Sequence, residues 1–347
     1  MNTDLSDQLT VIIPTFHRAH FLGRLLSYAR EVQFPFRILI ADSTQKDDLP
    51  LNEAWIEVHR ASLNIGYLRF SCGLMEKLLL AAQQATTPYC CFWADDDFLL
   101  PEGHLSCLAF LNQNPDYGSC MGQTLAVRQN QTAIEAYRVS YPSRDETSAV
   151  ERVTRWSENF YSNFYAVYRE QLLLEMLHAT AGASCYEQCR IIPEILMGQM
   201  GLLLARQRAL DDISIVYQMH SANDSRLTPC VRDDSTFPED YRRYREAAVQ
   251  IFSKTAGLSA SEANQLIDQS FRNIYRWTGG RGRTLKRLVE QLRRRWKKWQ
   301  LLLDGQRCVP RFTRVIQERL AIGDSLLKSG SVSAAMKCIR QYPDGLP

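Results

Sequence analysis

Three consecutive carboxylates, Asp95, Asp96 and Asp97, follow directly on the apolar run 89–94 and are the residues best suited to chemistry. Adjacent carboxylates repel one another, so a fold that gathers them usually supplies a cation. Alternate residues of an extended chain point the same way, which predicts Asp95 and Asp97 on one face and Asp96 turned away. Two carboxylates on one face suit Mg²⁺ or Mn²⁺, which bind oxygen and leave positions open for phosphate. The alternative is a solvated acidic turn that caps a helix.

The elements that would position these carboxylates alternate between strand-like and helix-like patterns over the first hundred residues. Apolar and β-branched runs predict four strands, at residues 9–14, 36–41, 55–59 and 89–94. Such alternation is typical of a parallel sheet covered by helices, whose connections open into a crevice at the carboxyl ends of the strands. Residues 15–18, Asp42 and the three acids all fall at such ends.

Four segments resemble, in order and spacing, the family 2 glycosyltransferases with the GT-A fold: Val11 to Arg18, Ile40 to Ser43, Asn64 to Gly66 and Phe92 to Asp97. They match the family's VIIPTYNR strand, its VVDDGS turn, its N-x-G element and its D-x-D. The resemblance covers residues 8–125 well and is absent beyond about residue 230. It implies an α/β fold, a GT-A type nucleotide-binding sheet flanked by helices. It also implies a metal-dependent enzyme that moves a single sugar, with inversion, from a nucleotide-sugar donor to a glycan or lipid-linked acceptor.

The resemblance assigns roles to the D-x-D and to the loop after the first strand. Asp97 would bind the divalent cation, Mn²⁺ or Mg²⁺, that bridges the donor diphosphate. Asp95 would bind the same cation or face the ribose. Pro14, Thr15 and Arg18 match the loop beside the nucleotide, although Arg18 could equally be an exposed residue at the start of a helix.

Two further elements of the family pattern concern the nucleotide base and its support. Asp42 matches the acid that contacts the base or ribose, and an aspartate at a strand end also forms turns. The strand ends in Asp42, Ser43 and Thr44, without the second acid and the glycine of the family's turn, so the resemblance does not fix the base. Asn64 and Gly66 would support the loop under the nucleotide, or form a plain turn.

Inverting transfer requires a carboxylate that takes the proton of the acceptor hydroxyl. By resemblance to the family's ED element, Glu187 is our candidate for this catalytic base, with Glu194 as its rival, and either could be an ordinary surface glutamate. His220 resembles the histidine that follows the last strand of the GT-A fold. Its imidazole would be a third metal ligand beside Asp95 and Asp97, or it is a polar loop histidine.

The net charge of +3 conceals a strongly basic segment near the carboxyl terminus. Residues 271–300 hold eleven basic residues and one acid, while the rest of the chain has more acids than bases. Apolar residues at helical spacing predict an amphipathic helix over 281–303, which either lies on an anionic membrane surface or packs on the catalytic domain. The acidic remainder and the lack of a nucleic-acid-binding signature argue against a nucleic-acid partner.

Strand signals stop near residue 237, and helical patterns follow at 239–254, 259–275 and 284–303. This predicts a GT-A catalytic domain over residues 1–236 and a helical, basic region over 237–347. The apolar runs are short, the first residues are polar, and ten scattered cysteines suit reduced thiols, so we expect a cytoplasmic protein, free or peripheral at the inner membrane face. Two alternatives are a nucleotidyltransferase acting on sugar phosphates, which would want a glycine-rich loop after the first strand, and a catalytically silent GT-A binding module docked on a membrane.

Overall fold

A computed structural model describes residues 4–129, 134–182, 191–220, 237–278 and 330–341. Its strands are β1 (Leu9–Thr15), β2 (Arg37–Asp42), β3 (Ile65–Arg69), β4 (Tyr89–Phe92), β5 (Phe98–Leu99), β6 (Tyr117–Gln129), β7 (Ile134–Val139), β8 (Val167–Arg169) and β9 (Arg206–Met219). Its α-helices are α1 (Ala19–Glu31), α2 (Leu49–Arg60), α3 (Leu74–Ala82), α4 (Pro101–Gln113), α5 (Ala149–Glu158), α6 (Glu170–Gly182), α7 (Ile191–Leu204), α8 (Phe237–Ala256), α9 (Ala260–Thr278) and α10 (Gly330–Gln341). Short 3-10 turns precede β1 and α2, at Leu5–Gln8 and Lys46–Asp48.

The strands form one mixed sheet in the order β3-β2-β1-β4-β8-β6-β9-β5, and β7 pairs with the edge of β6. The first four strands run parallel to one another, as the alternating pattern predicts. Beyond them β8 runs antiparallel to both β4 and β6, and β6 pairs with β9 in parallel. The carboxyl ends of β1, β2 and β4 therefore meet at one edge of the sheet, which confirms the predicted α/β class.

The strand predicted at 55–59 is wrong, because those residues belong to α2. The buried residues of α2 are Asn52, Ile56 and His59, a spacing of four and three that a helix produces and a strand does not. Proline in the first helical turn fixes the start of α2. The third parallel strand comes later, at β3, where it pairs with β2.

Both faces of the sheet are buried, so the fold has three layers. Successive residues of β1 show this, because Val11 and Ile13 pack in one apolar cluster and Ile12 packs in the other. The first cluster adds apolar side chains of α1, α4 and α10, and the second adds those of α5, α6, α7, α8 and α9. A sheet covered on both faces explains why its central strands read as unbroken apolar runs.

The helices after residue 236 share these two clusters with the residues before it. Tyr244 and Phe252 of α8 and Ile267 of α9 are in the same cluster as Trp156 of α5. Ile339 of α10 packs with residues of α1 in the other cluster. The helices predicted at 239–254 and 259–275 are confirmed as α8 and α9. The division at 236/237 stays a prediction about the sequence, since the described helices on its far side use the same cores.

The short strand β5 brings the acidic segment next to the end of β9. Phe98 of β5 pairs with Val216 of β9, and the two strands run antiparallel. Asp97 immediately precedes β5, while Gln218 and His220 lie at the end of β9. Backbone pairing therefore sets β9 residues against the acids, although more than a hundred residues separate them in the chain.

Helix α4, which follows β5, carries His104, a buried residue that is 1% exposed. Its Nδ1 lies 2.9 Å from the carbonyl oxygen of Leu100. Burial lowers the pKa of His104 to about 4, whereas histidine in an unfolded chain has a pKa of about 6.5. The unfolded state therefore binds more protons between these values. The stabilising contribution is complete above about pH 6.5 and is lost as the pH falls toward 4.

We expect His104→Leu to remove this sensitivity to acid. Between about pH 7 and pH 4 the wild type should lose up to about 3 kcal/mol more unfolding free energy than the variant, because only the wild type must protonate a buried imidazole. Urea unfolding across this range measures the difference. His20→Leu, on an exposed position of α1, controls for the loss of a histidine, and stability curves that run parallel for wild type and His104→Leu would contradict the expectation.

Candidate active site

The three acids lie in a turn and not in a strand. Strand β4 ends at Phe92, and turn backbone covers residues 95–97 before β5 begins. All three residues are buried, with 3%, 6% and 1% exposure for Asp95, Asp96 and Asp97. Strand alternation therefore does not apply, and the prediction that Asp95 and Asp97 share a face is replaced. Asp95 and Asp96 share one partner, and Asp97 has partners of its own.

The shared partner is Arg18, which caps the start of α1. Its Nη1 lies 3.0 Å from Oδ1 of Asp95, and its Nη2 lies 2.8 Å from Oδ2 of Asp96. The guanidinium also lies 4.2 Å from the centre of the Phe21 ring. Burial opposes the charge of Arg18, but the neighbouring carboxylates outweigh it and raise the pKa of Arg18.

Asp95 links the acidic turn to the end of β1. Thr15 donates its hydroxyl to Oδ2 of Asp95 at 3.0 Å. Burial raises the pKa of Asp95 to about 7, against the opposing effect of Arg18. Thr15 and Arg18, both predicted from the sequence to lie beside the nucleotide, therefore contact the acidic turn directly.

Asp96 meets His220 from the end of β9. Nε2 of His220 lies 3.4 Å from Oδ2 of Asp96, and the imidazole stacks on Phe21 with 5.3 Å between ring centres. Burial alone would raise the pKa of Asp96, but His220 and Arg18 outweigh it and lower that pKa to about 2. Asp96 is therefore ionised at neutral pH. It is also the residue that the alternation argument had turned away from the site.

Asp97 is held within the protein. The backbone N–H of Gln218 donates to its Oδ1 at 3.0 Å, and the hydroxyl of Tyr165 donates to its Oδ2. Burial, reinforced by the charge of Asp96, raises the pKa of Asp97 well above its ordinary value. Both carboxyl oxygens thus have protein donors.

A second arginine, Arg24 of α1, binds the backbone of the acidic turn. Its Nη2 donates to the backbone oxygen of Asp96 at 2.7 Å, and its Nη1 donates to Oε1 of Gln218 at 2.6 Å. The side chain lies between the rings of Phe21 and Phe98. Arg24 therefore ties the acidic turn to the end of β9. Such a buried arginine resembles any other helix residue in the sequence, so sequence reasoning missed it.

Asp42, at the end of β2, is fully buried, and its carboxylate accepts hydrogen bonds from the protein itself. Oδ1 accepts the backbone N–H of Thr44 at 2.7 Å, and Oδ2 accepts from Asn52 at 3.0 Å and from the hydroxyl of Tyr67 at 2.9 Å. Thr44 in turn accepts the backbone N–H of His17 at 2.9 Å. Asp42 thus positions the loops at the strand ends.

The loop between β1 and α1 is anchored at several points and presents one exposed ring. His17 has a backbone φ of +53°, in the left-handed region, and is held there by its bond to Thr44. Lys77 of α3, 3% exposed, donates to the backbone oxygen of Thr15 at 2.9 Å and to the hydroxyl of Ser43 at 2.8 Å. Pro14 lies within β1. Phe16, between these anchors, is 52% exposed.

Asn64 and Gly66 lie away from the acids, on the side of the sheet where the parallel strands begin. They flank the first residue of β3, and Gly66 pairs with Leu39, whereas the carboxyl end of β2 pairs with Arg69. A polar cleft of about 380 Å³ is lined there by residues that include both of them. The N-x-G element therefore starts a strand at the amino edge of the sheet. Support for a nucleotide loop by these two residues is not what this geometry shows.

The two candidates for the catalytic base differ in what the structure describes. Glu187 lies outside the described residues, as does the predicted basic helix 281–303. Glu194 lies in the first turn of α7. Burial raises its pKa, and a hydrogen bond with Ser162 limits the rise. Ser162 belongs to the same loop as Tyr165, which bonds to Asp97, so this loop contacts both Glu194 and Asp97.

The donor set that a divalent cation would find is small. Within the described ranges no three His, Cys, Asp or Glu side chains converge as a metal cluster. Mg²⁺ is commonly held by one or two protein groups together with substrate phosphates and water. Asp96 and His220 meet that requirement, because one is an ionised carboxylate and the other an imidazole, and Oδ2 of Asp96 lies 3.4 Å from Nε2 of His220. The residues present therefore fit a cation that a donor diphosphate completes.

Residues 10–177 match the family model for Glycosyl transferase family 2. The match confirms, over this segment, the resemblance to family 2 found in the sequence, and the chain is a glycosyltransferase. No curated protein matches the chain by sequence.

Solved structures of S. aureus TarS residues 1–349 share the fold. The complex of TarS with UDP-GlcNAc superposes with a TM-score of 0.57 at 16% identity, over 80% of this chain and 76% of that chain. Another TarS structure gives 0.55 at 17% identity, over 79% and 73%. At such identity the likeness establishes the fold, and it confirms the GT-A arrangement. Across the described helices, none is both long and apolar enough to cross a membrane.

We expect Asp42→Asn to destabilise the protein as well as weaken nucleotide binding. The substituted amide would face donors that now share a carboxylate, and an unsatisfied buried group costs about 1 to 3 kcal/mol. Urea unfolding and nucleotide titration measure the two effects. Tyr67→Phe, which removes one of the three donors, is the matched control and should cost no more than about 1 kcal/mol. A fully stable Asp42→Asn variant with weakened nucleotide affinity would instead indicate direct contact with the nucleotide.

Proposed function

We propose that this glycosyltransferase is metal-dependent and transfers a single sugar, with inversion, from a nucleotide-sugar donor to a glycan or lipid-linked acceptor. The observation that carries the proposal is the meeting of Asp96 and His220 at the carboxyl ends of the parallel strands. Ligands of open α/β sheets bind at that edge. The match to family 2, and the fold shared with a protein solved in complex with UDP-GlcNAc, support a nucleotide-sugar donor.

The cation would be Mn²⁺ or Mg²⁺, held by Asp96 and His220. We prefer Asp96 to Asp97, the acid first assigned from the sequence, because Asp97 accepts from the backbone of Gln218 and from Tyr165, whereas Asp96 adjoins an imidazole that can also bind a metal. When bound, such a cation offsets the negative charge that develops on the departing diphosphate. Asp95 would lie beside the cation, positioned by the hydroxyl of Thr15.

The nucleoside would lie over the loop between β1 and α1. Phe16 offers an exposed ring at the strand ends, and an aromatic face stacks on any base. Thr15, Pro14 and Arg18 line the same loop, so their predicted contact with the nucleotide is part of the proposal. Asp42 and Lys77 act on this loop as positioning residues, because their polar atoms bond to protein groups.

The acceptor hydroxyl must lose a proton as it attacks the anomeric carbon, so a carboxylate base is part of the proposal. Glu187 is the first candidate and Glu194 the second. A raised pKa suits a general base, since it increases the affinity of the carboxylate for the proton it takes. Burial gives Glu194 that property.

The proposal predicts a thermal shift that requires both a nucleoside diphosphate and Mn²⁺. Ligand present at about a hundred times its dissociation constant should add about 2.7 kcal/mol of stability. UDP, GDP, dTDP and CDP are each measured with and without Mn²⁺, on the wild type, Asp96→Ala and Asp97→Ala. We expect one nucleotide to respond in the wild type and the response to vanish in Asp96→Ala. Asp97→Ala should unfold earlier but keep its Mn²⁺-dependent shift.

A shift without Mn²⁺ would contradict metal dependence, and a response lost only in Asp97→Ala would return the cation to Asp97. If none of the four nucleotides shifts the unfolding temperature, the catalytically silent binding module is favoured. Hydrolysis of the matching nucleotide sugar separates an enzyme from a module that binds without turnover. Release of the free nucleotide measures this hydrolysis.

For the base, we expect Glu187→Gln to lower kcat about 10²-fold or more while the donor affinity is kept. Glu194→Gln is the matched comparison, since it makes the same change within the described part of the chain. Turnover of the donor and calorimetric donor binding are measured on both variants. If Glu194→Gln alone loses turnover, the base is Glu194, and normal turnover of both would contradict the assignment of either.

A further inference from the structure

Arg18 covers the two carboxylates that a divalent cation would approach. Its side chain is 25% exposed, while those of Asp95 and Asp96 are 3% and 8% exposed. The guanidinium forks across the pair with one nitrogen on each residue, at 3.0 and 2.8 Å. Of these three side chains, that of Arg18 is the most exposed to solvent. Its seat on the Phe21 ring holds this position.

The other cation of the cluster is built in more deeply. Arg24 is 7% exposed and binds the backbone oxygen of Asp96 and the side chain of Gln218. Removing Arg24 from these bonds would open the junction between the acidic turn and β9. Arg18, by contrast, contacts only the side chains of the acids in this cluster, so it can leave without breaking that junction.

A divalent cation and the Arg18 guanidinium would use the same oxygen. Oδ2 of Asp96 accepts from Nη2 of Arg18 and is also the atom that faces Nε2 of His220. Two cations a few ångströms apart in a site of low dielectric repel strongly. The diphosphate of a donor offers the guanidinium an alternative, since its planar fork matches phosphate as well as carboxylate.

We propose that Arg18 is the resident counter-ion of the acidic turn, which competes with the divalent cation and moves onto the donor diphosphate when the donor binds. The inference rests on the proposed function, because it assumes a diphosphate and a cation at this site. Its consequence is that nucleotide and metal bind cooperatively. The acids stay neutralised in the free protein by Arg18, and the cation enters together with the anion that draws Arg18 away.

Mn²⁺ binding tests the inference without any turnover. Free Mn²⁺ is followed by electron paramagnetic resonance during titration, with and without UDP, and protein-free mixtures correct for Mn²⁺ held by UDP alone. For the wild type we expect weak binding of Mn²⁺ alone and an affinity raised about tenfold by UDP, within the usual range of coupling between sites. For Arg18→Gln we expect Mn²⁺ alone to bind about tenfold more tightly and the coupling to UDP to be lost.

Arg37→Gln is the matched control. Arg37 lies at the other edge of the sheet, where it donates to Thr86, and its removal should leave the Mn²⁺ titrations unchanged. Arg18→Lys keeps the positive charge but cannot bind both carboxylates at once. Its affinity for Mn²⁺ should therefore lie between that of the wild type and that of Arg18→Gln. If Arg18→Gln does not fold alone, Mn²⁺ should restore folding, which thermal unfolding detects, and failure to restore it would overturn the inference.

The outcomes separate this inference from the function it rests on. UDP is replaced in these titrations by GDP, dTDP or CDP if one of those is the nucleotide that shifts the wild-type protein. If none of the four binds any form of the protein, the proposed function fails, yet Arg18→Gln should still bind Mn²⁺ more tightly than the wild type. If Arg18→Gln binds Mn²⁺ no more tightly than the wild type, or less so, the counter-ion role is overturned even where UDP binds. Binding of UDP to the wild type without any change in Mn²⁺ affinity would overturn the exchange onto the diphosphate.

Discussion

The structure depends on burying three consecutive carboxylates at one edge of a sheet. Charged groups lose hydration on burial, and only close partners offset that cost. The neighbouring elements supply these partners: β1 gives a hydroxyl, the residue before α1 gives a guanidinium, the loop before β8 gives a phenol, and the end of β9 gives a backbone N–H and an imidazole. The pairing of β5 with β9 makes this convergence possible, since it joins the acidic turn to a strand that forms much later in the chain.

The partners make the three acids unequal. Asp97 is tied to backbone and phenol and serves the turn itself, whereas Asp96 is ionised and faces an imidazole. Asp95 lies between these roles, with burial raising its pKa and one hydroxyl and one guanidinium bound to it. The function we propose needs a site that receives a cation and a diphosphate together, and the carboxylate of Asp96 and the imidazole of His220 lie side by side beneath Arg18 at the carboxyl ends of the strands. The remaining polar groups, such as Asp42 and Lys77, keep the neighbouring loops in shape.

The sequence was sufficient for the elements whose local pattern matches their environment. β1, β2 and β4 are apolar runs because both faces of the sheet are covered, and the acids were found at a strand end because the parallel arrangement puts them there. The strand predicted at 55–59 failed because a half-exposed helix with apolar residues on both faces resembles a short strand. The predicted orientation of Asp96 was wrong because the strand ends before the acids. Asp42 and Asn64 were assigned by motif, while their partners and their position in the sheet are set by tertiary pairing. Arg24, Tyr165 and Gln218 leave no local signal at all.

In the function we propose, the cation site consists of Asp96 and His220 and is completed by the donor's diphosphate. Anomalous diffraction from crystals grown with Mn²⁺ and a nucleoside diphosphate locates the metal directly. We expect a manganese peak bonded to Oδ2 of Asp96 and Nε2 of His220, with the Arg18 guanidinium turned onto the phosphates. A manganese ion bound to Asp97, or a diphosphate seated at the site while Arg18 still spans Asp95 and Asp96, would contradict it.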